Sequence, residues 1–366
     1  MKRQEKIFQL ALQLIPNVGF KMWKELISEF NTATDLFTNL QELRHLKKYK
    51  DIYEYIIKKT FVEDAEALLL KHEKENIQVI SFFDEEYPYR LKQIPNAPCF
   101  LYKNGNLDLN NKNFVAIIGT RSSSRDAEKL VKKVVEGLKN YNIVIVSGMA
   151  YGVDILAHKY SLVNEIDTLG IVAGDVKKIY PQYHRPVCRE IIASGGAMIS
   201  ESPLGTVAEN FLFPARNRII AGCSDVVVVV EAGKKSGAII TANCANEYDR
   251  EVFAIPGSIF AETSVGCNEL IKNNKAHLLT CAEDIVEMMN WGQDSCKKNL
   301  PKENNFENLD SDSRSIVETI KKYPEISLDE IFDKTNINSA KLSAILLELE
   351  MENIVETLPG DRYRLV

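Results

Sequence analysis

The chain has 366 residues, 45% of them hydrophobic, and a formal net charge of −6 from 45 Lys and Arg against 51 Asp and Glu. That length and apolar content suffice for more than one packed domain, and the acidic balance excludes a protein that coats nucleic acid indiscriminately, because electrostatic DNA affinity needs many cations close to phosphates. No apolar run approaches the ~20 residues needed to span a bilayer and no apolar signal core follows Met1-Lys2-Arg3, which points to the cytoplasm, while seven cysteines without a Cys-x-x-Cys pair read as reduced thiols, so no metal and no cofactor are expected.

Residues 1–75 are predicted to be helical, with Ile7, Leu10, Ala11 and Leu14 in the i, i+3, i+4, i+7 rhythm of an amphipathic helix. Ile15-Pro16-Asn17-Val18-Gly19, followed by Met22, Trp23 and Leu26, reads as a hairpin between helices. Such a hairpin either offers backbone N–H groups to a phosphate or simply packs two helices.

Residues 76–290 alternate strand and helix. Val115–Ile118 runs into Gly119-Thr120-Arg121 and Ile143–Val146 into Ser147-Gly148; Asp225–Glu231 precedes Gly233-Lys234-Lys235-Ser236-Gly237. This alternation predicts an α/β fold with a mostly parallel sheet, whose ligands collect at the carboxyl ends of the strands. One glycine turn after a strand is ordinary α/β packing, but here several such loops carry basic residues.

Between them lies Phe213-Pro214-Ala215-Arg216-Asn217-Arg218, read as a loop turning into a helix. There, two guanidinium forks and the free N–H groups of a helix start would meet an anion. The candidate nucleic-acid site comprises Gly119, Thr120, Arg121, Ser147, Gly148, Phe213, Arg216, Asn217, Arg218, Lys235, Ser236 and Gly237. The glycine and serine loops would give backbone donors to phosphates, Arg121, Arg216, Arg218 and Lys235 would neutralise charge, and Phe213 either stacks on a base or belongs to the core.

No catalytic residue is expected. Asp154 and His158 are an acid and imidazole at i, i+4 spacing, either an acid/base dyad or a hydrogen-bonded pair that holds the Ser147-Gly148 loop, and no recognisable nucleophile accompanies them. Glu201 and Glu231, each ending an apolar run, either project into the cleft or shape the loops. The Gly233–Gly237 loop lacks the Gly-x-x-x-x-Gly-Lys-Ser/Thr spacing that wraps a triphosphate.

Residues 291–314 are polar and without periodicity, as a linker is. Residues 315–366 then give three helical patterns and, around Pro359-Gly360-Asp361, an alternating hairpin, together a winged helix. Its third helix sets Glu348, Glu350 and Glu352 against Lys341, and carboxylates repel phosphates. The domain is therefore either a protein-contact module or a stabilising appendage.

Tyr87-Pro88, Ile118-Gly119-Thr120-Arg121, Ser147-Gly148-Met149-Ala150, Tyr180-Pro181, Ser200-Glu201, Phe213-Pro214 with Arg216-Asn217-Arg218, Ser236-Gly237 and Pro256-Gly257 occur in the order in which the DNA processing protein A (DprA/Smf) family carries them. The resemblance spans roughly residues 87–289. It implies an extended Rossmann-like domain that binds single-stranded DNA, forms a homodimer, and helps load the RecA recombinase during natural transformation, with an N-terminal helical domain and no enzymatic activity. Tyr151 departs from the family's usual arginine and either weakens a backbone contact or exchanges charge for a stacking surface. The rival is an enzyme: Rossmann-like nucleotide phosphoribohydrolases share the arginine-bearing helix, strand and glycine turn. The glutamate that follows their glycines is absent from Gly233–Thr241.

Overall fold

The computed structural model describes residues 2–58, 61–292, 310–323, 326–335, 337–351, 354–358 and 362–365. The chain separates into two compact units, residues 1–295 and residues 296–366.

The first unit begins with helices α1 (Arg3–Leu14), α2 (Phe20–Glu29), α3 (Ala33–Thr38), α4 (Leu40–His45), α5 (Lys50–Lys58) and α6 (Phe61–Lys74). Asn17, with φ 66°, supplies the left-handed residue of the turn between α1 and α2, and Trp23 is fully buried with its indole N–H donating to the Gln9 carbonyl at 2.9 Å. The hairpin therefore at least packs its two helices. His72, at the end of α6, accepts at Nε2 from the Leu204 N–H at 2.9 Å and tethers these helices to the α/β portion.

The α/β portion follows as β1 (Gln78–Ser81), α7 (Tyr89–Lys92), β2 (Phe100–Gly105), β3 (Asn113–Ile118), α8 (Arg125–Gly137), β4 (Ile143–Ser147), α9 (Val153–Val163), β5 (Asp167–Ile171), α10 (Arg185–Ala193) and β6 (Ala197–Ser200). It continues through α11 (Leu212–Cys223), β7 (Val226–Val229), α12 (Gly237–Glu247), β8 (Glu251–Ala254), α13 (Val265–Lys272), β9 (His277–Leu278) and α14 (Glu283–Met289). Among the described residues these nine strands form one sheet in the order β1-β2-β6-β5-β4-β3-β7-β8-β9. Pairing is parallel from β6 to β9, and β2 and β1 extend the edge antiparallel.

This is an extended Rossmann-like sheet. Its central strands read NFVAII, IVIVS and VVVV because both faces are covered. Val115 and Ile117 pack with Val131, Val135 and Ala157 of α8 and α9, whereas Phe114, Ala116 and Ile118 pack on the opposite face with Ile219 and Ala242. The two-residue period of a strand divides one apolar run between two cores.

In the second unit, helices Ser311–Lys322, Leu328–Thr335 and Ser339–Met351 pack on a sheet ordered Ile326–Ser327, Arg362–Leu365, Val355–Leu358, the winged-helix arrangement. Ile316, Ile320, Ile331, Leu342 and Leu349 make its core. The first of these helices starts at Ser311, earlier than the apolar period suggests, because Asp310 accepts from the Ser313 N–H at 2.8 Å and caps it. The linker expected over 291–314 falls in large part on residues 293–309, and the Pro-Gly-Asp turn on 359–361, both outside the described residues.

Candidate nucleic-acid interface

From β3 the chain proceeds to β4, β5 and β6 on one side and returns to β7 and β8 on the other, so connections diverge between β3 and β7. A crevice opens at the carboxyl ends of strands at such a switch point. Here it is a cleft of about 400 Å³ lined by Gly119, Thr120 and Arg121 after β3, by Lys235, Ser236 and Gly237 after β7, and by Arg216 and Asn217 of α11. Loops a hundred residues apart meet because the sheet brings β3 and β7 side by side. The lining holds three cations, Arg121, Arg216 and Lys235, against one carboxylate, Asp154, so the cleft is positive in a chain that is negative overall.

Local chemistry explains how each loop is held. Glu231, buried at the end of β7, accepts from the Ser124 N–H at 3.1 Å and from the Ser124 hydroxyl at 2.5 Å, while its carbonyl accepts from the Thr120 N–H at 2.7 Å. Ser124 Oγ also accepts from the Ala127 N–H at 3.1 Å and caps α8. Gly119 is required for this approach, since a Cβ there would stand 2.9 Å from the Glu231 carbonyl and 2.5 Å from Val153 Cγ2. Across the cleft, Ser236 caps α12 and the Asn217 amide donates to the Gly237 carbonyl at 3.3 Å. Glu231 thus shapes loops rather than facing a ligand.

The expected loop-to-helix transition at Phe213–Arg218 is corrected. α11 starts at Leu212, and Pro214 fits its first turn, where a missing N–H costs nothing. Arg216 and Arg218 therefore lie inside the helix two residues apart, and such residues do not face the same way. Arg216 turns to the cleft: its buried Nη1 donates to the Ile171 carbonyl, and Nε finds no partner among the described residues. Burial pulls its pKa down, opposed by Asp154 and reinforced by Arg121. Arg218 turns away, donates from Nη2 to the Glu201 carboxylate, and does not line the cleft.

Ser147 and Gly148 lie under the cleft rather than in it. Ser147 is fully buried and its hydroxyl donates to the Ile117 carbonyl at 2.6 Å. A Cβ on Gly148 would sit 2.4 Å from Arg216 Nη1 and 2.5 Å from Asp154 Oδ2. This glycine lets the two charges close over the backbone. Burial raises the Asp154 carboxyl, with Arg216 pulling the other way.

His158 does not pair with Asp154. Its Nε2 is 2.9 Å from the Gly148 carbonyl and its Nδ1 is 2.7 Å from the Thr168 hydroxyl, whose own proton goes to the Ile145 carbonyl at 2.8 Å. Burial holds its pKa down to about 4. The acid and the imidazole each hold the loop, by separate bonds.

Beside the cleft is a smaller cavity of about 50 Å³ whose wall includes Arg121, Tyr151, Lys178, Tyr180 and Phe213. The Arg121 guanidinium lies 5.5 Å from the Phe213 ring centre, and Tyr180 meets that ring edge-on at 5.9 Å. Half-buried Phe213 is thus a wall residue. Tyr151 and Tyr180 are both exposed in this wall; Tyr151 stands where the exchange of charge for a stacking surface would act, whereas Tyr180 is not among the expected site residues. Lys234 pairs with Glu269 at 3.2 Å. Among the described residues no His, Cys, Asp and Glu cluster has metal-holding geometry, and no helix is long and apolar enough to cross a membrane.

Residues 78–290 match the DNA recombination-mediator protein A family and residues 301–361 the DprA winged helix domain. The chain is 30% identical to the protein Smf of Synechocystis sp., with all of both chains covered, and 39% identical to the DNA processing protein DprA of Streptococcus pneumoniae over 62% of this chain and 78% of that one. The crystal structure of the latter superposes with a TM-score of 0.64 at 32% identity, covering 78% of this chain and 98% of that one. DNA processing protein A from Helicobacter pylori, a structure described for its single-stranded DNA binding mode, gives a TM-score of 0.52 at 29% identity, covering 58% and 96%.

Proposed function

The chain belongs to the DNA recombination-mediator protein A family, and on that premise we propose that it binds single-stranded DNA in DNA processing, through the cleft between β3 and β7. The observation that carries this reading is the placement of Arg121, Arg216 and Lys235 around one crevice beside an aromatic wall that includes Phe213 and Tyr180. Single-strand binding joins a cationic track for the backbone to stacking surfaces for the bases. The Helicobacter pylori relative's description as a single-stranded DNA binder supports the same assignment. Gly119, Thr120, Asn217, Ser236 and Gly237 supply polar and backbone groups at the cleft; Gly148 leaves room for Arg216, and Ser147 ties β4 to β3.

The finer reading is that the protein acts in the cytoplasm as a homodimer, shields incoming DNA in natural transformation, and helps a RecA recombinase assemble on it. It is a binding protein rather than an enzyme. In favour of this, the glutamate that follows the glycines in the rival enzymes has no counterpart in residues 233–241, and Glu231 and Glu201 are bonded to Ser124 and Arg218.

Affinity for an oligothymidine should fall steeply as salt rises and should exceed affinity for duplex of the same length. Binding indifferent to salt, or equal for both forms, removes the cleft assignment. Release of free base from AMP, abolished by Glu231→Gln, would establish the phosphoribohydrolase reading instead. RecA loading is read from filament assembly on a strand already covered by a single-strand-binding protein, with and without this chain.

A further inference from the structure

The loop after β8 leaves two adjacent large apolar side chains in solvent, Ile259 at 80% and Phe260 at 91% exposure. Its backbone is nonetheless fixed. The Gly257 N–H donates to Asn268 Oδ1 at 3.2 Å and Asn268 Nδ2 returns to the Gly257 carbonyl at 3.0 Å, while Phe260 N–H meets Ser258 Oγ at 3.2 Å and Ala261 N–H the Ser258 carbonyl at 3.1 Å. The side chains thus project from a held turn. Scattered exposed apolar residues are ordinary, whereas an adjacent pair on a fixed turn marks a surface that something else covers.

Its position says what. β8 is the neighbour of β7, so this loop stands on the same sheet edge as the cleft. It abuts the lysine loop: the Gly266 N–H donates to the Ala232 carbonyl at 2.7 Å, and a Cβ on Gly233, itself a lining residue of the cleft, would lie 3.5 Å from the Glu262 carbonyl. Residues 252–261 carry no charge, and Lys234 and Lys235, the second a lining residue of the cleft, directly follow Gly233, whose backbone this loop approaches. The carboxylates that flank the loop are Glu262 and Glu269, the second held by Lys234.

We propose that Ile259 and Phe260 form a second stacking platform for unpaired bases of a DNA strand that leaves the cleft across Lys234 and Lys235. The proposal rests on the single-strand reading above. β8 lies two strands from β3, about 10 Å along the edge, a span of roughly two or three stacked nucleotides at about 3.4 Å each, so a dinucleotide seated in the cleft does not engage the platform and a longer strand does. Phe213 and Phe260 then mark the two ends of one track.

The test uses the full chain with oligothymidines of about 2 and about 30 nucleotides. Phe260→Ala should weaken binding of the long oligomer about 5- to 150-fold, the range of one lost base stack, and leave the short one unchanged, with the melting temperature kept. Phe260→Trp should retain affinity, and its added fluorescence should be quenched by the long oligomer alone. If the parent binds neither oligomer, the single-strand reading fails and the platform with it. If the parent binds and Phe260→Ala binds the long oligomer equally well, or loses both oligomers alike, the platform alone is overturned. A shift in sedimentation of Ile259→Ser/Phe260→Ser with unaltered DNA affinity would make the loop a contact between copies of the chain and likewise overturn it.

Discussion

Arg218 donates through Nη2 to Oε2 of Glu201, the residue that follows β6, 17 positions earlier in the chain. Burial raises the Glu201 carboxyl and the guanidinium beside it counters that rise. The two charges compensate each other beneath α11. Arg121, by contrast, stands exposed at the cleft.

The two arginines should therefore fail differently. Arg121→Ala should weaken single-strand binding by about 1–3 kcal/mol, the scale of a charge-assisted contact, with an unchanged melting temperature. Arg121→Lys should recover only part, because a point charge does not reproduce a fork. Arg218→Ala strands a partly buried carboxylate and should cost about 1–3 kcal/mol of stability, with a smaller effect on affinity. Anisotropy titrations beside thermal melts separate the cases, and an Arg218→Ala protein of parental stability that binds poorly would return Arg218 to the site.

Gly148→Ala places a methyl group against Arg216 and Asp154. Overpacking of that kind should lower stability by about 1–3 kcal/mol and weaken DNA binding as Arg216 is displaced. Gly19→Ala is the control: a Cβ there meets nothing within 4 Å. Gly19 is the N-cap of α2, where alanine is disfavoured, so the variant's melting temperature should fall, but by less than that of Gly148→Ala.

His158 ties the Gly148 loop to a pH window. The ring titrates near 6.5 when unfolded and about 4 when buried, so folding favours the neutral form. The stability this provides is complete above about pH 6.5 and is lost as pH falls toward 4, a change of about 3 kcal/mol for that depression. His158→Gln should flatten the slope of melting temperature between pH 4.5 and 6.5. His72, whose pKa burial also lowers, keeps its share of the slope in that variant. Parallel slopes for parent and His158→Gln would show that the imidazole is not the group titrating.

The exposed face of the third helix in the second unit carries Glu348 and Glu350, and Lys341 is engaged with Asp312. Removing residues 301–366 should leave single-strand affinity within about twofold, since the cleft is built wholly by the first unit. Filter binding checks this. Loss of most binding in the truncated chain would place the DNA site in the winged helix instead.

Much of this was legible in the residue order. The runs NFVAII, IVIVS and VVVV, each followed by small or basic residues, dictated parallel strands with loops at one edge, because a strand covered on both faces has no room for polar alternation. The Asn17 turn and the apolar rhythm of residues 7–14 dictated the first helices. What the order could not disclose was direction around α11. Arg216 and Arg218 are alike in type and two positions apart, yet helical rotation sends one to the Ile171 carbonyl beside the cleft and the other to Glu201. Ser147 was legible as a strand end but not as a buried donor to β3, and His158 as a neighbour of Asp154 but not as the support of Gly148. Such pairings join strands that are adjacent in the sheet and distant in the chain. Local propensity fixes where each strand ends, and only the order in which strands lie side by side decides which side chains share a cleft.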